Sequence, residues 1–125
     1  MSQEPAGPGN AGPPGLAAVI LDATALLALG AGNQFLSRLV VAAHAQSGRY
    51  LYAPAMCLAA ATAQRPALAA HVGALPAIEV LDLGFAAAAA SGAVIAEGVS
   101  WQLAHALTTA APSLEWPQGL PVLTA

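Results

Sequence analysis

Asp22 is the residue from which chemistry can first be read. It ends the apolar run AVIL, is followed two positions later by the hydroxyl of Thr24, and leads into a second apolar run, so that Ala18 to Leu29 reads AVILDATALLAL. An ionised Asp inside so apolar a stretch is costly to bury, which places it at the carboxyl end of a strand, where open α/β sheets form their ligand crevices. There it is the first candidate for a site. A second use of the same residue is local: capping a helix that begins near Ala23 by accepting from its unpaired backbone N–H groups.

Few other groups compete with it. Glu79 and Asp82 flank the end of a later apolar run and Glu97 precedes Gly98. Any of them could reach the same rim, but charges normally stay in water, which favours solvated or capping acids. His105, one helical turn beyond Trp101, has the chemistry of a general base or metal ligand. Its neighbours Ala104, Ala106 and Leu107 favour packing. His44 and His71 fall on separate segments without the spacing of a metal motif, and Cys57, set among Ala55, Met56 and Leu58, suits a small core position. No phosphate-cradling glycine motif follows a strand.

Composition narrows the class of protein. A chain of 125 residues supports one domain, since two cores would each be small and marginal. Three Arg, no Lys and six acids give a net charge of −3. With Arg38, Arg49 and Arg65 as the only arginines, a basic nucleic-acid face is disfavoured. Hydrophobic residues make up 58% of the chain, which raises the question of a membrane. The uncharged run from Leu83 to Ala96 is shorter than the roughly 18 to 20 residues of a span. The run from Gly98 to Leu114 is interrupted by Ser100, Gln102, His105 and Pro112, so no membrane helix is expected. The N-terminus lacks the basic and apolar regions of a secretory signal, and the single cysteine forms no internal disulfide; both point to the cytoplasm.

The elements that must position Asp22 follow from pattern. Residues 1–15 are Pro/Gly-rich and read as a flexible tail, with a domain over residues 16–125. Ala17 to Asp22 is continuously apolar, as a central parallel strand covered on both faces should be. A short helix then stops near Gly30 to Gly32. Asn33 caps a second helix, reaching about Gln46, that places Phe35, Leu36, Leu39, Val40 and Ala43 on one face and ends at Ser47 and Gly48. Arg49 to Pro54 is a second strand, and Pro54 opens a helix running to Arg65. A short helix from Pro66 to Ala74 leads to AIEVLDL, a third strand. Helices over Phe85–Glu97 and Ser100–Ala111, broken at Gly98, precede the final strand PVLTA. The order βααβααβααβ predicts an α/β fold of three layers, α/β/α, around a parallel sheet of about four strands. Asp22 then lies on the rim of strand carboxyl ends.

ILDATALLAL, YAPAMCLAAA, SWQLAHAL and PVLTA, taken in this order, resemble segments of PIN-domain proteins, specifically bacterial toxin-type ribonucleases, from about Ala18 to the C-terminus. The resemblance implies a PIN-like fold and an acidic cluster holding Mg²⁺ or Mn²⁺ for RNA hydrolysis. Asp22 matches the first acid of that cluster and Thr24 the small hydroxyl residue that follows it. The glutamate of the third helix is replaced by Ala60, the aspartate opening the last long helix is replaced by Ser100, and the chain ends at Ala125, just after Thr124. Mg²⁺ takes near-octahedral oxygen ligands, several of them carboxylates where water is to be activated. Alanine offers no ligand atom, and serine only a neutral hydroxyl that can still cap a helix.

The expectation is therefore a PIN-like domain with a decayed acidic site, serving as a non-catalytic binding or regulatory module related to toxin–antitoxin ribonucleases. No cofactor is expected, and at most Asp22 would hold a metal weakly. The alternative is a Mg²⁺- or Mn²⁺-dependent ribonuclease using Asp22 with unconventional ligands, and only then would RNA be a partner. The expected partners are a second copy of the chain and an antitoxin-like protein.

Overall fold

A computed structural model describes residues 18–46 and 48–125. The expected tail over residues 1–15, the start of the first strand at Ala17 and the helix end at Ser47 lie outside the described residues. Within them the elements run β1 (Ala18–Leu21), α1 (Ala23–Gly30), α2 (Gln34–Ala45), β2 (Tyr50–Pro54), α3 (Ala55–Gln64), α4 (Leu68–Gly73), β3 (Ile78–Leu81), α5 (Phe85–Ala96), α6 (Trp101–Ala110) and β4 (Val122–Leu123). This is the predicted α/β alternation.

Every residue of β1 is buried, so the strand must be flanked and covered on both faces. It lies inside a four-stranded sheet of order β3–β2–β1–β4, in which every pairing is parallel. The register sets Ile20 against both Tyr52 and Val122. β4 is only two residues long, but Ile20 N–H and Asp22 N–H donate to the carbonyls of Pro121 and Leu123 at 3.0 and 3.2 Å and extend its hold on β1. The steps from β1 to β2 and from β2 to β3 go one way and the return to β4 goes the other. The order therefore reverses between β1 and β4, and α6 packs on β1, β2 and β4 as well as on α3 and α5. The core joins Val19, Ile20 and Leu21 to Leu26, Leu51, Ala53, Leu68 and Val72.

Local signals account for the helix boundaries. Asn33 caps α2 as its side-chain oxygen accepts from Leu36 N–H at 3.0 Å. Gly98 takes a φ of 105°, a left-handed conformation that separates α5 from α6 where a side chain would be strained. Two expectations are corrected. Pro54 is the last residue of β2 and the N-cap of α3 in extended conformation, not the first helical residue. Phe35 does not join the buried face of α2: Leu36, Val40 and Ala43 form that stripe, and Phe35, about 100° round the helix from Leu36, is 61% exposed.

α5 departs most from the pattern of a surface helix. Its sequence, FAAAAASGAVIA, is apolar nearly all round, yet Ser91 is its only buried residue. Ala87 and Val94 are half-buried on the same stripe, and the Ser91 hydroxyl meets that of Thr108 on α6 at 3.3 Å.

The burial pattern separates two substitutions on neighbouring helices. Leu26→Ala, at a site with 0% exposure, should destabilise the domain by about 2 to 5 kcal/mol in urea unfolding. Phe35→Ser should fall within about 0.5 kcal/mol of the parent.

Candidate functional site

The strand carboxyl ends form a rim, and Asp22 stands on it where the strand order reverses between β1 and β4. The residue is 6% exposed and caps α1. Its Oδ1 accepts from Ala25 N–H at 2.9 Å and from the Thr24 hydroxyl at 2.8 Å. Of the two sequence readings of Asp22, the helix cap is the one these bonds show, at the carboxyl end of β1 where the strand order reverses. Thr24 is exposed and its oxygen also lies 2.8 Å from the Thr124 hydroxyl, just past β4. A hydroxyl has one proton, and Thr24 gives its own to Asp22, so Thr124 is the donor to Thr24. Ala125 N–H donates to the same oxygen at 3.0 Å. The result is a relay from Thr124 through Thr24 to Asp22 that stitches the ends of β1 and β4 together.

The first turns of α3 and α6 complete the rim. Met56 N–H donates to His105 Nδ1 at 3.3 Å, and the Cys57 thiol donates to the Gln102 carbonyl at 3.4 Å. These two bonds hold the amino end of α6 against the residues that follow β2. Cys57 is fully buried, and burial first, then the Asp22 charge beside it, pushes its thiol up to about 11. It is therefore a neutral thiol and a poor nucleophile at neutral pH. His105 is 1% exposed, and burial holds its imidazole below the ordinary histidine value. With Nδ1 accepting from Met56, the proton of the neutral ring sits on Nε2.

The other sequence candidates divide. Ala60 is buried in the middle of α3, 5% exposed. Ser100 is the exposed N-cap of α6, but its side chain makes no capping hydrogen bond, so the capping expected of it is not realised. Glu79, Asp82 and Glu97 are exposed, as are His44 and His71. Among the described residues no three His, Cys, Asp or Glu side chains are grouped so as to hold a metal ion. The placement of Cys57 beside Asp22, the Met56–His105 bond and the Thr24–Thr124 contact were not foreseen. Thr24 and Thr124 are 100 positions apart, and only the pairing of β4 beside β1 brings them together.

The donor set does not fit Mg²⁺. It comprises one buried carboxylate with one oxygen doubly engaged, and two neutral hydroxyls spent on each other and on Asp22. A hard cation needs several free, converging oxygens. No family model, curated protein or solved structure matches the chain.

His105 makes stability depend on pH. Its folded value lies below the unfolded one, so as pH falls through about 6.5 the unfolded chain takes up the proton first. Stability is then lost on acidification and levels off below the folded value. Urea unfolding at pH 7 and pH 5 should show this loss, and His105→Phe should reduce it.

Proposed function

We propose that the protein is a non-catalytic binding or regulatory module on a PIN-like scaffold, related to toxin–antitoxin ribonucleases, in which the acidic metal site has decayed. The observation that carries this reading is the commitment of Asp22 to structure. Its Oδ1 caps α1 and receives the Thr24 hydroxyl, while the positions where the resemblance implies further acids hold Ala60 and Ser100. A single carboxylate leaves Mg²⁺ mostly water-bound, without a metal-bound nucleophile held in line with a phosphate.

What remains useful on such a scaffold is surface. From Leu83 to Ala96 no residue is charged, Phe85 is 92% exposed, and Trp101 and Leu107 extend the apolar area onto α6. A helix apolar all round is normally covered. The occupant we assign is a second copy of the chain, because the face carries no charge for a partner of opposite sign to read and two copies meet without repulsion. A helix of 12 residues is about 18 Å long, too small alone for the roughly 800 Å² per partner of a standard interface. The contact must therefore include α6. An antitoxin-like protein would compete for the same face.

Two measurements test this reading. Titration with Mn²⁺ should show weak binding, RNA should remain uncut above background, and Asp22→Asn should change neither result. Metal-dependent cleavage abolished by Asp22→Asn would instead establish the ribonuclease alternative. Sedimentation at tens of micromolar, on the order of weak-assembly affinities, should give twice the 12.3 kDa chain mass. Phe85→Asp with Ala89→Arg, both at exposed positions, should return it to a monomer.

A further inference from the structure

A concavity lies at the opposite end of the sheet from Asp22, where α2 ends and β2 and β3 begin. It has a volume of about 490 Å³, within the range of small-molecule sites, and His44, Arg49, Tyr50, Tyr52, Pro76 and Glu79 are among its lining residues. The period of two along β2 turns Leu51 and Ala53 into the core, at 2% and 0% exposure, and Tyr50 and Tyr52 to the other face. The two tyrosine rings are parallel to within 2° with centroids 6.2 Å apart, and Tyr50 is 46% exposed. The stacked pair therefore leaves aromatic surface partly uncovered at Tyr50.

Polar groups border that surface on two sides. Arg49 Nε donates to Gln46 Oε1 at 2.6 Å, which fixes the guanidinium and leaves its terminal Nη edge to grip an anion with two parallel bonds. His44, in the last turn of α2, stands in the same wall. Glu79 pairs in register with Tyr52 and so shares its face of the sheet, presenting a carboxylate that can accept from ring N–H groups. A ligand that satisfies all three has a planar ring with N–H donors and an anionic substituent.

We propose that this cleft binds a purine nucleoside monophosphate, with the base stacked on Tyr50, its N–H groups turned to Glu79 and its phosphate held by Arg49. A nucleic-acid strand fits less well. The chain carries a net charge of −3 with three arginines and no lysine, so an extended phosphate backbone would find no basic track. The site shares no residue with the rim around Asp22 and does not depend on the reading given to that rim.

Calorimetric titration of the full chain with GMP, AMP and UMP tests the assignment, with guanosine and ribose 5-phosphate supplying ring and anion separately. Saturable binding of one GMP per chain is expected, with guanosine and ribose 5-phosphate each weaker. Tyr50→Ala and Arg49→Gln should each weaken GMP binding by about tenfold, the scale of a lost stacking or bidentate contact. Glu79→Gln should weaken GMP more than UMP, and Phe35→Ser should leave binding unchanged. Should Tyr50→Ala fold poorly, amide shifts of the unmodified protein decide: GMP should perturb Gly48, Tyr50 and Ala77. No saturable binding at millimolar nucleotide, equal binding of ribose 5-phosphate, shifts confined to other residues, or indifference to Tyr50→Ala would each overturn the proposal.

Discussion

A carboxylate at the end of a wholly buried strand must be satisfied by hydrogen bonds or not be there. Asp22 is 6% exposed and meets that demand by capping α1 and accepting from Thr24. The consequences spread outward. The cap fixes where β1 stops and α1 starts, and Thr24 carries the connection to Thr124 beyond β4. The rim owes its order to this relay and to the pair of bonds joining α3 to α6 through Met56, Cys57, Gln102 and His105. An acid used in this way stabilises the fold rather than standing free in solvent.

The helices are packed unequally. α1 packs on α2, α3 and α4, whereas α5 has α6 as its main neighbour and leaves most of its apolar circumference in solvent. α6 in turn lies on β1, β2 and β4, and Tyr50 on the inner strand β2 and Glu79 on the edge strand β3 remain exposed. Two surfaces of different character result. One is apolar and uncharged; the other is aromatic with a fixed cation and a carboxylate. Neither includes a residue of the rim around Asp22.

Much of the fold was legible because its signals are local. The carboxylate after AVIL, the amide of Asn33 and the left-handed turn at Gly98 act within a few residues of their own position, and each marks a boundary as expected. Composition also sufficed for the absence of a long apolar helix: no single described helix is long and apolar enough to cross a membrane. Periodicity was less secure. On α2 it grouped Phe35 with the buried stripe, because a five-residue apolar set is compatible with more than one facing direction until a neighbour selects it. At Ser100 the residue type allowed a cap, and the local geometry does not use it.

By itself, the sequence determined the order of strands and helices, the place of β1 inside a parallel sheet and the position of Asp22 at a strand end, since these depend on burial patterns and on hydrogen bonds closed within one turn. Only the tertiary structure decided which distant residues share a site. The pairing of β4 with β1 brings Thr124 to Thr24, the packing of α3 with α6 joins Met56 to His105 and Cys57 to Gln102, and the meeting of α2 with β2 and β3 gathers Arg49, Tyr50 and Glu79 around one cleft. The physical reason is the range of the forces involved. Caps and turns are closed by neighbours along the chain, whereas these constellations depend on the strand order and on helices that touch only once the sheet has formed.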